Sequence, residues 1–200
     1  MTVREVGAAY DARSQEYVEL FGSLDQLAVA DRLLVSRWRD STPGLLLDAG
    51  CGPGPWAEVL RDGGRRVLGI DVSAQFLAIG RRRHPTVPFL RGSLTALPLK
   101  AGTVGGVLAW YSIIHTPPYD VPSLFSEFGR VLRPGGSLAL AYFDGAPGQP
   151  FAHAVITAYF WSVEALQPLL AEAGLDVVEH HRRQDEGHRP HAALVARRIS

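Results

Sequence analysis

The sequence has one cysteine, no net charge and no long apolar run, and each of these shortages excludes a class of protein. Because Cys51 stands alone, neither an internal disulfide nor a multi-cysteine metal site can form. Twenty basic residues balance twenty acidic ones, so the charge of the whole chain favours neither nucleic acid nor an anionic membrane as a partner. No stretch approaches the roughly 18 apolar residues of a membrane span, and residues 1–7 lack the apolar core of a signal peptide. We therefore expect a cytoplasmic protein with no membrane or nucleic-acid partner and no bound metal, in an oligomeric state that the sequence leaves open.

The apolar residues that are present fall into alternating strand and helix patterns. A helical segment over residues 4–39 comes first, and the chain then alternates between strands and helices, which is typical of a parallel sheet covered by helices on both faces. Near the C-terminus, two strands joined by a polar turn around Gly187 predict an antiparallel hairpin at one edge. The seven predicted strands cover residues 45–49, 67–71, 87–91, 104–110, 137–143, 175–179 and 192–196.

This pattern predicts one α/β domain over residues 1–200, with a doubly wound, Rossmann-like, seven-stranded sheet and a helical N-terminal cap over residues 1–40. In the C-terminal helix, Ser162 is the expected N-cap. Pro168 lies inside that helix, so we expect the helix to begin later than Ser162 indicates.

A glycine-rich turn follows the first predicted strand, where residues 45–54 read Leu-Leu-Leu-Asp-Ala-Gly-Cys-Gly-Pro-Gly. Glycines between a strand and a helix allow the backbone to approach a ligand closely. The dinucleotide fingerprint is G-x-G-x-x-G, whereas here Gly50, Gly52 and Gly54 alternate and Asp48 precedes them. An acid at that place would repel a pyrophosphate and suit a positively charged ligand. Asp71 ends the next strand, where an acid can accept hydrogen bonds from ribose hydroxyls. The residues therefore predict a nucleoside site.

This motif resembles the first two motifs of the class I S-adenosylmethionine-dependent methyltransferases. Further segments are similar to that family in the order the family uses them: Tyr10 and Asp11 followed by Tyr17, then residues 91–99, 107–115 and 132–136. The resemblance implies methyl transfer from S-adenosylmethionine to a small-molecule acceptor at oxygen or nitrogen, by in-line displacement. One departure stands out, since the acid that the family usually places before Leu94 is Ser93 here.

The resemblance also implies a role for each matching residue. The methionine half of the cofactor would lie against Asp48, Ala49, Gly50, Gly52 and Gly54. Asp71 would bind the ribose, while the adenine would contact Val72, Ser93 and Leu94. Trp110 would line the pocket, and the helix that carries Tyr10 and Tyr17 would close over the cofactor. His115 would take a proton from the acceptor, with Tyr111 beside it orienting the substrate.

Other interpretations of these residues stay open. Asp48 could cap the following helix, His115 could be structural, and Tyr111 could only fill space. Cys51 as a nucleophile lacks an activating histidine nearby. The C-terminal histidines (His180, His181, His188, His191) are spaced too loosely for a typical metal site. Two other classes of protein share the predicted sheet: a nicotinamide-dependent oxidoreductase, and a protein that binds S-adenosylmethionine without transferring its methyl group.

Overall fold

A computed structural model describes residues 2–199, so that Met1 and Ser200, the ends of the predicted domain, lie outside the described residues. Its helices are α1 (Val3–Ala12), α2 (Ser14–Phe21), α3 (Val29–Ser41), α4 (Pro55–Arg61), α5 (Ala74–Arg83), α6 (Val121–Val131) and α7 (Val163–Glu172). Its strands are β1 (Leu46–Ala49), β2 (Val67–Asp71), β3 (Phe89–Arg91), β4 (Val104–Trp110), β5 (Leu132–Phe143), β6 (Pro150–Phe151), β7 (Ala158–Tyr159), β8 (Leu175–Arg183) and β9 (His191–Arg198).

The main sheet has seven strands in the order β3-β2-β1-β4-β5-β9-β8. β1 to β5 run parallel to one another, and β9 is antiparallel to both β5 and β8. This confirms the predicted doubly wound architecture and its antiparallel C-terminal edge. The strand order reverses at β1, since β2 and β3 lie on one side of it and β4 and β5 on the other. The carboxyl ends of β1, β2 and β4 therefore meet at the point where such folds bind ligands.

Two apolar cores sandwich the sheet. On one face, α6 and α7 pack against the sheet through side chains such as Phe125, Phe128 and Leu166, none of which is exposed. On the other face, α3, α4 and α5 cover it, with Trp38 and Leu60 among the buried side chains. Every residue of β1 and β4 is buried, because both strands are covered on both faces.

The structure differs from the predictions at three places. The helix α7 begins at Val163, capped by Ser162, and continues through Pro168, so the expected late start is wrong. The assigned strand β5 begins at Leu132 instead of residue 137, and the turn at residues 133–136 forms an irregularity within it. The short hairpin of β6 and β7 was not predicted, since two-residue strands have no periodicity to read.

The packing of α6 against the C-terminal end of α7 makes one glycine a test of this architecture. A Cβ on Gly129 of α6 would lie 2.2 Å from the carbonyl oxygen of Ala173. Alanine normally stabilises a helix interior by about 1 kcal/mol relative to glycine. Overpacking costs about 1–3 kcal/mol. We expect the overpacking to dominate in Gly129→Ala, which should lower the free energy of unfolding in urea denaturation.

The matched control lies on the exposed side of the same helix. Ser126→Ala should change the free energy of unfolding by no more than about 0.5 kcal/mol, as is usual for surface substitutions. A Gly129→Ala protein as stable as Ser126→Ala would contradict the close approach of α6 and Ala173.

Candidate active site

A groove of about 1770 Å³ opens over the carboxyl ends of the central strands. Pockets for a single drug-sized ligand usually occupy about 300–1,000 Å³, so this groove has room for more than one molecule. Of the fourteen site residues predicted from the sequence, eleven line it: Tyr10, Tyr17, Gly50, Gly52, Asp71, Val72, Ser93, Leu94, Trp110, Tyr111 and His115.

The other three predicted residues, Asp48, Ala49 and Gly54, do not line the groove. Asp48 and Ala49 are buried in β1 beneath the glycine loop. Gly54 is the residue before α4, in the left-handed conformation with φ of 86°. Their contact with a cofactor stays a prediction.

Asp71 organises the glycine loop around itself. Its carboxylate accepts a hydrogen bond of 2.8 Å from the Gly52 amide through one oxygen, and one of 2.8 Å from the Ser73 amide through the other. Burial raises the pKa of Asp71, and these backbone hydrogen bonds act in the opposite direction. Each oxygen keeps acceptor capacity, so two vicinal hydroxyls would find a carboxylate that is already held in place.

The loop after β4 lies against the glycine loop. A Cβ on Gly50 would come within 2.3 Å of the Ser112 Cβ, and Gly50 has φ of 75°, so no other residue fits there. Tyr111, the residue before Ser112, also has a positive φ, of 55°. A strained non-glycine residue at the end of a central strand is often part of a ligand site.

His115 is held at both ring nitrogens. Its Nδ1 lies 2.8 Å from the Thr157 carbonyl oxygen, which can only accept, so Nδ1 carries the proton. The Nε2 lone pair then accepts a hydrogen bond of 2.8 Å from the Tyr10 hydroxyl. Burial lowers the pKa of His115, which favours the neutral ring that this arrangement requires.

The first two helices form a lid over the cofactor side of the groove. Besides the bond from Tyr10 to His115, Asp11 accepts hydrogen bonds from the Ser73 hydroxyl, at 2.5 Å, and from the Gln75 amide, at 3.1 Å. Tyr10 and Tyr17 both pack on Phe76 of α5, with ring centroids 5.4 and 5.0 Å apart. Hydrogen bonds thus hold this segment at the start of α5 and at the β4 loop. Its closure over a cofactor stays a prediction.

Several polar atoms at the groove are buried without a partner among the described residues. They include the Arg32 Nε and the Ser112 hydroxyl, both on residues of the groove wall, and one carboxylate oxygen of Asp48 beneath the loop. Such atoms are rare in proteins and need an explanation. A hydroxyl and a carboxylate beside the glycine loop, with a guanidinium in the wall of the same groove, fit the ammonium and carboxylate of an amino acid, which the methionine end of S-adenosylmethionine supplies.

Three residues that line the groove beside the predicted ones were not named as site residues. Arg32 has no motif around it, Ser112 lies within the segment 107–115 without being singled out, and His153 belongs to the segment between β6 and β7. The His153 ring centroid lies 5.0 Å from that of His115. Burial, followed by the nearby His115, lowers the pKa of His153 to about 4, so this ring is neutral near pH 7. Only the fold brings these side chains together.

The structure bears on three other features of the sequence: the Cys51 thiol, Ser93 at the predicted adenine site, and the possibility of a metal site. Burial raises the pKa of the Cys51 thiol well above its usual value, so this thiol is protonated and a poor nucleophile. Ser93 accepts from the Thr95 amide and exchanges a hydrogen bond of 2.8 Å with its hydroxyl, which shapes the turn at the predicted adenine site. Within residues 2–199, no group of three or more His, Cys, Asp or Glu side chains could hold a metal ion.

The structure is a Rossmann-like fold with a groove at the carboxyl ends of its central strands, where such folds bind ligands. Residues 46–136 match a family model described as a methyltransferase domain. Residues 46–136 are thus similar to a methyltransferase domain, and a curated relative of the chain is a probable S-adenosylmethionine-dependent methyltransferase, so S-adenosylmethionine is the cofactor that these matches support. No described helix is long and apolar enough to cross a membrane.

Relatives and solved structures agree with this assignment. A demethylmenaquinone methyltransferase of Beutenbergia cavernae is 36% identical over 122 residues, which are 57% of this chain and 50% of that protein. The chain spans about half the length of the curated relatives it matches. A Burkholderia thailandensis 1,6-didemethyltoxoflavin-N1-methyltransferase, solved with its acceptor and S-adenosylhomocysteine, is 20% identical with a TM-score of 0.77, over 100% of this chain and 92% of that one. The [4+2]-cyclase SpnF is 21% identical with a TM-score of 0.83, over 100% and 97%. These two structures show the same fold.

The buried Asp48 predicts a pH dependence of stability. Burial, followed by the negative charge of Asp71, raises the pKa of Asp48 to about 8, far above the ~3.9 of an unfolded aspartate. With the folded pKa raised, the stabilising contribution is complete below about pH 4 and is lost as the pH rises through about 8. Asp48→Asn should therefore be more stable than the native protein at pH 8 and no more stable at pH 4, measured by urea denaturation. Asp176→Asn on the exposed face of β8 is the control. An equal difference at both pH values would refute the buried charge.

The ribose role of Asp71 can be tested with a ligand as well as a mutation. S-Adenosylhomocysteine and its 2′-deoxy analogue would be titrated calorimetrically into the native protein and into Asp71→Ala. A hydrogen bond to a charged group contributes about 1.5–3 kcal/mol, so removing the 2′-hydroxyl should weaken binding to the native protein roughly tenfold to hundredfold. Asp71→Ala should bind both ligands equally weakly. If the mutant still discriminated between the two ligands, another residue would hold the ribose.

Proposed function

We propose that the protein transfers the methyl group of S-adenosylmethionine to an oxygen or nitrogen atom of a small molecule. The observation that carries this proposal is that a buried proton acceptor, His115, faces the same groove as the nucleoside acid Asp71. The relatives support methyl transfer to a small molecule, since they include a methyltransferase named for demethylmenaquinone.

The cofactor half of the groove would be held by the residues already described. Asp71 binds the ribose, Val72 and the Leu94 backbone contact the adenine, and Trp110 lines the far wall. Arg32 and Ser112 accommodate the carboxylate, while Asp48 compensates the ammonium from beneath the loop. When bound, S-adenosylmethionine supplies a methyl group already activated on a sulfonium, so the chain needs chiefly to align the acceptor and exclude water.

The acceptor would lie beyond the cofactor, between the loop after β4 and the segment joining β6 to β7. Tyr111, Phe143 and His153 line this end of the groove. The Tyr111 and Phe143 ring centroids are 5.3 Å apart, and Phe143 and His153 are 6.2 Å apart. Rings on several sides favour a planar acceptor, which can stack against them.

Tyr10 and His115 provide a path for the proton that an O–H or N–H acceptor must lose. The acceptor gives its proton to the Tyr10 oxygen while the Tyr10 proton passes to His115 Nε2, across the existing bond of 2.8 Å. The imidazolium that forms still donates a hydrogen bond from Nδ1 to the Thr157 carbonyl, and this bond stabilises its positive charge. Tyr10 is therefore both a lid residue and the relay, and His115 is the base.

This relay predicts matching losses in Tyr10→Phe and His115→Gln. General-base catalysis contributes about a hundredfold to ten-thousandfold, so both variants should lose at least a hundredfold in kcat with an acceptor found in a panel of phenols and nitrogen heterocycles. Because His115 must be neutral and burial lowers its pKa, native kcat should fall only at a pH below the ~6.5 of an ordinary histidine, and His115→Gln should lack this dependence. Liquid chromatography with mass spectrometry would measure the S-adenosylhomocysteine formed.

Three results would count against parts of this mechanism. A Tyr10→Phe protein with native kcat would mean that the acceptor reaches His115 directly. A native protein that binds S-adenosylhomocysteine tightly and methylates no acceptor would favour the non-transferring binder. Binding of NAD in its place would favour an oxidoreductase.

A further inference from the structure

The mouth of the groove carries an unusual concentration of exposed apolar side chains. Among the described residues, eight large hydrophobic side chains are exposed, and four of them line this one groove. These four are Val3, Leu20, Val29 and Tyr119, with exposed fractions between 44% and 74%. A side chain that lines a groove and is also exposed lies at its opening, and we call these four residues the apolar rim.

The apolar rim and the ring-lined end belong to the same groove. Tyr119 follows the β4 loop that carries His115, while Val3 and Leu20 belong to the lid and Val29 begins α3. A ligand seated against Tyr111 and Phe143 could therefore extend toward the rim within one groove. Clusters of exposed apolar residues beside a groove usually mark a binding surface.

The volume of the groove leaves room for a large acceptor. At about 1770 Å³ it exceeds what one drug-sized ligand fills, so there is space for a cofactor and an acceptor together. An apolar chain attached to a planar head matches both the ring-lined end and the apolar rim.

We propose that the methyl acceptor is amphipathic, with a planar head group held between the rings and an apolar chain of several carbons lying over the rim of Val3, Leu20, Val29 and Tyr119. This inference rests on the proposed function, since it names the substrate class of the same site. The head presents its hydroxyl or N–H to Tyr10, and the chain leaves the groove between the lid and the loop after β4.

A homologous series of ligands tests the proposal. Alkyl 4-hydroxybenzoates from ethyl to octyl would be titrated calorimetrically into protein saturated with S-adenosylhomocysteine. Affinity in the native protein should rise about twofold per added methylene, because a chain on an open rim is removed from water only in part. Val29→Ser and Tyr119→Ser should reduce this dependence on chain length and leave the affinity for the ethyl ester within twofold of native.

The matched control is Val178→Ser, which changes a similarly exposed apolar residue on β8 outside the groove and should keep the native dependence. Equal affinity for short and long esters in the native protein would overturn the proposal, as would native behaviour of both rim variants. A concentration-dependent dimer in analytical ultracentrifugation that Val29→Ser disrupts would assign the rim to a second copy and also overturn it. Failure of S-adenosylhomocysteine itself to bind would instead refute the proposed function.

Discussion

The carboxylate of Asp71 links the glycine loop to the start of α5 and, through Ser73, to the lid. One oxygen holds the Gly52 amide and the other holds the Ser73 amide, so the end of β2 sets the position of both the glycine loop and the start of α5. Ser73 in turn donates to Asp11 of the lid. The lid, the loop and the sheet are thus related through one buried acid. A ligand bound at Asp71 would add its own bonds to groups that are already ordered, which lowers the entropic cost of binding.

The same acid also affects the electrostatics beneath the glycine loop. Asp48 and Asp71 are both buried; burial raises the pKa of each, and the charge of Asp71 raises the pKa of Asp48 further. Two such acids are costly to keep near each other unless a cation or a set of hydrogen-bond donors accompanies them. A ligand with a positive charge relieves this cost, whereas a pyrophosphate would increase it. The preference for a sulfonium or ammonium ligand over a dinucleotide therefore lies in the pair of acids as much as in the glycine spacing.

The sequence predicted the sheet well because its signals are local. Apolar runs mark β1 and β4, glycines mark the turns, and an acid at the end of β2 lies a short distance along the chain from the glycine loop it holds. The hydrogen bond between Tyr10 and His115 spans 105 residues, so no local pattern could reveal it. Arg32, Ser112 and His153 were missed for the same reason. Pro168 caused a wrong prediction, that of a late start for α7. The helix continues through it because packing of Leu166 and Leu170 in the core outweighs the backbone hydrogen bond that the proline removes.

The cofactor side of the groove was easier to predict from the sequence than the acceptor side. Most of the residues proposed to hold the cofactor lie near the carboxyl ends of parallel strands, where sequence order and spatial order coincide. The acceptor side is assembled from the lid, the β4 loop and the hairpin of β6 and β7, which are far apart in the chain and meet only at the mouth. The Thr157 carbonyl of that hairpin accepts a hydrogen bond from Nδ1 of His115, whose Nε2 accepts one from the lid's Tyr10. The lid therefore contacts the proposed base directly, so the position of the lid and the hydrogen bonding of His115 are coupled.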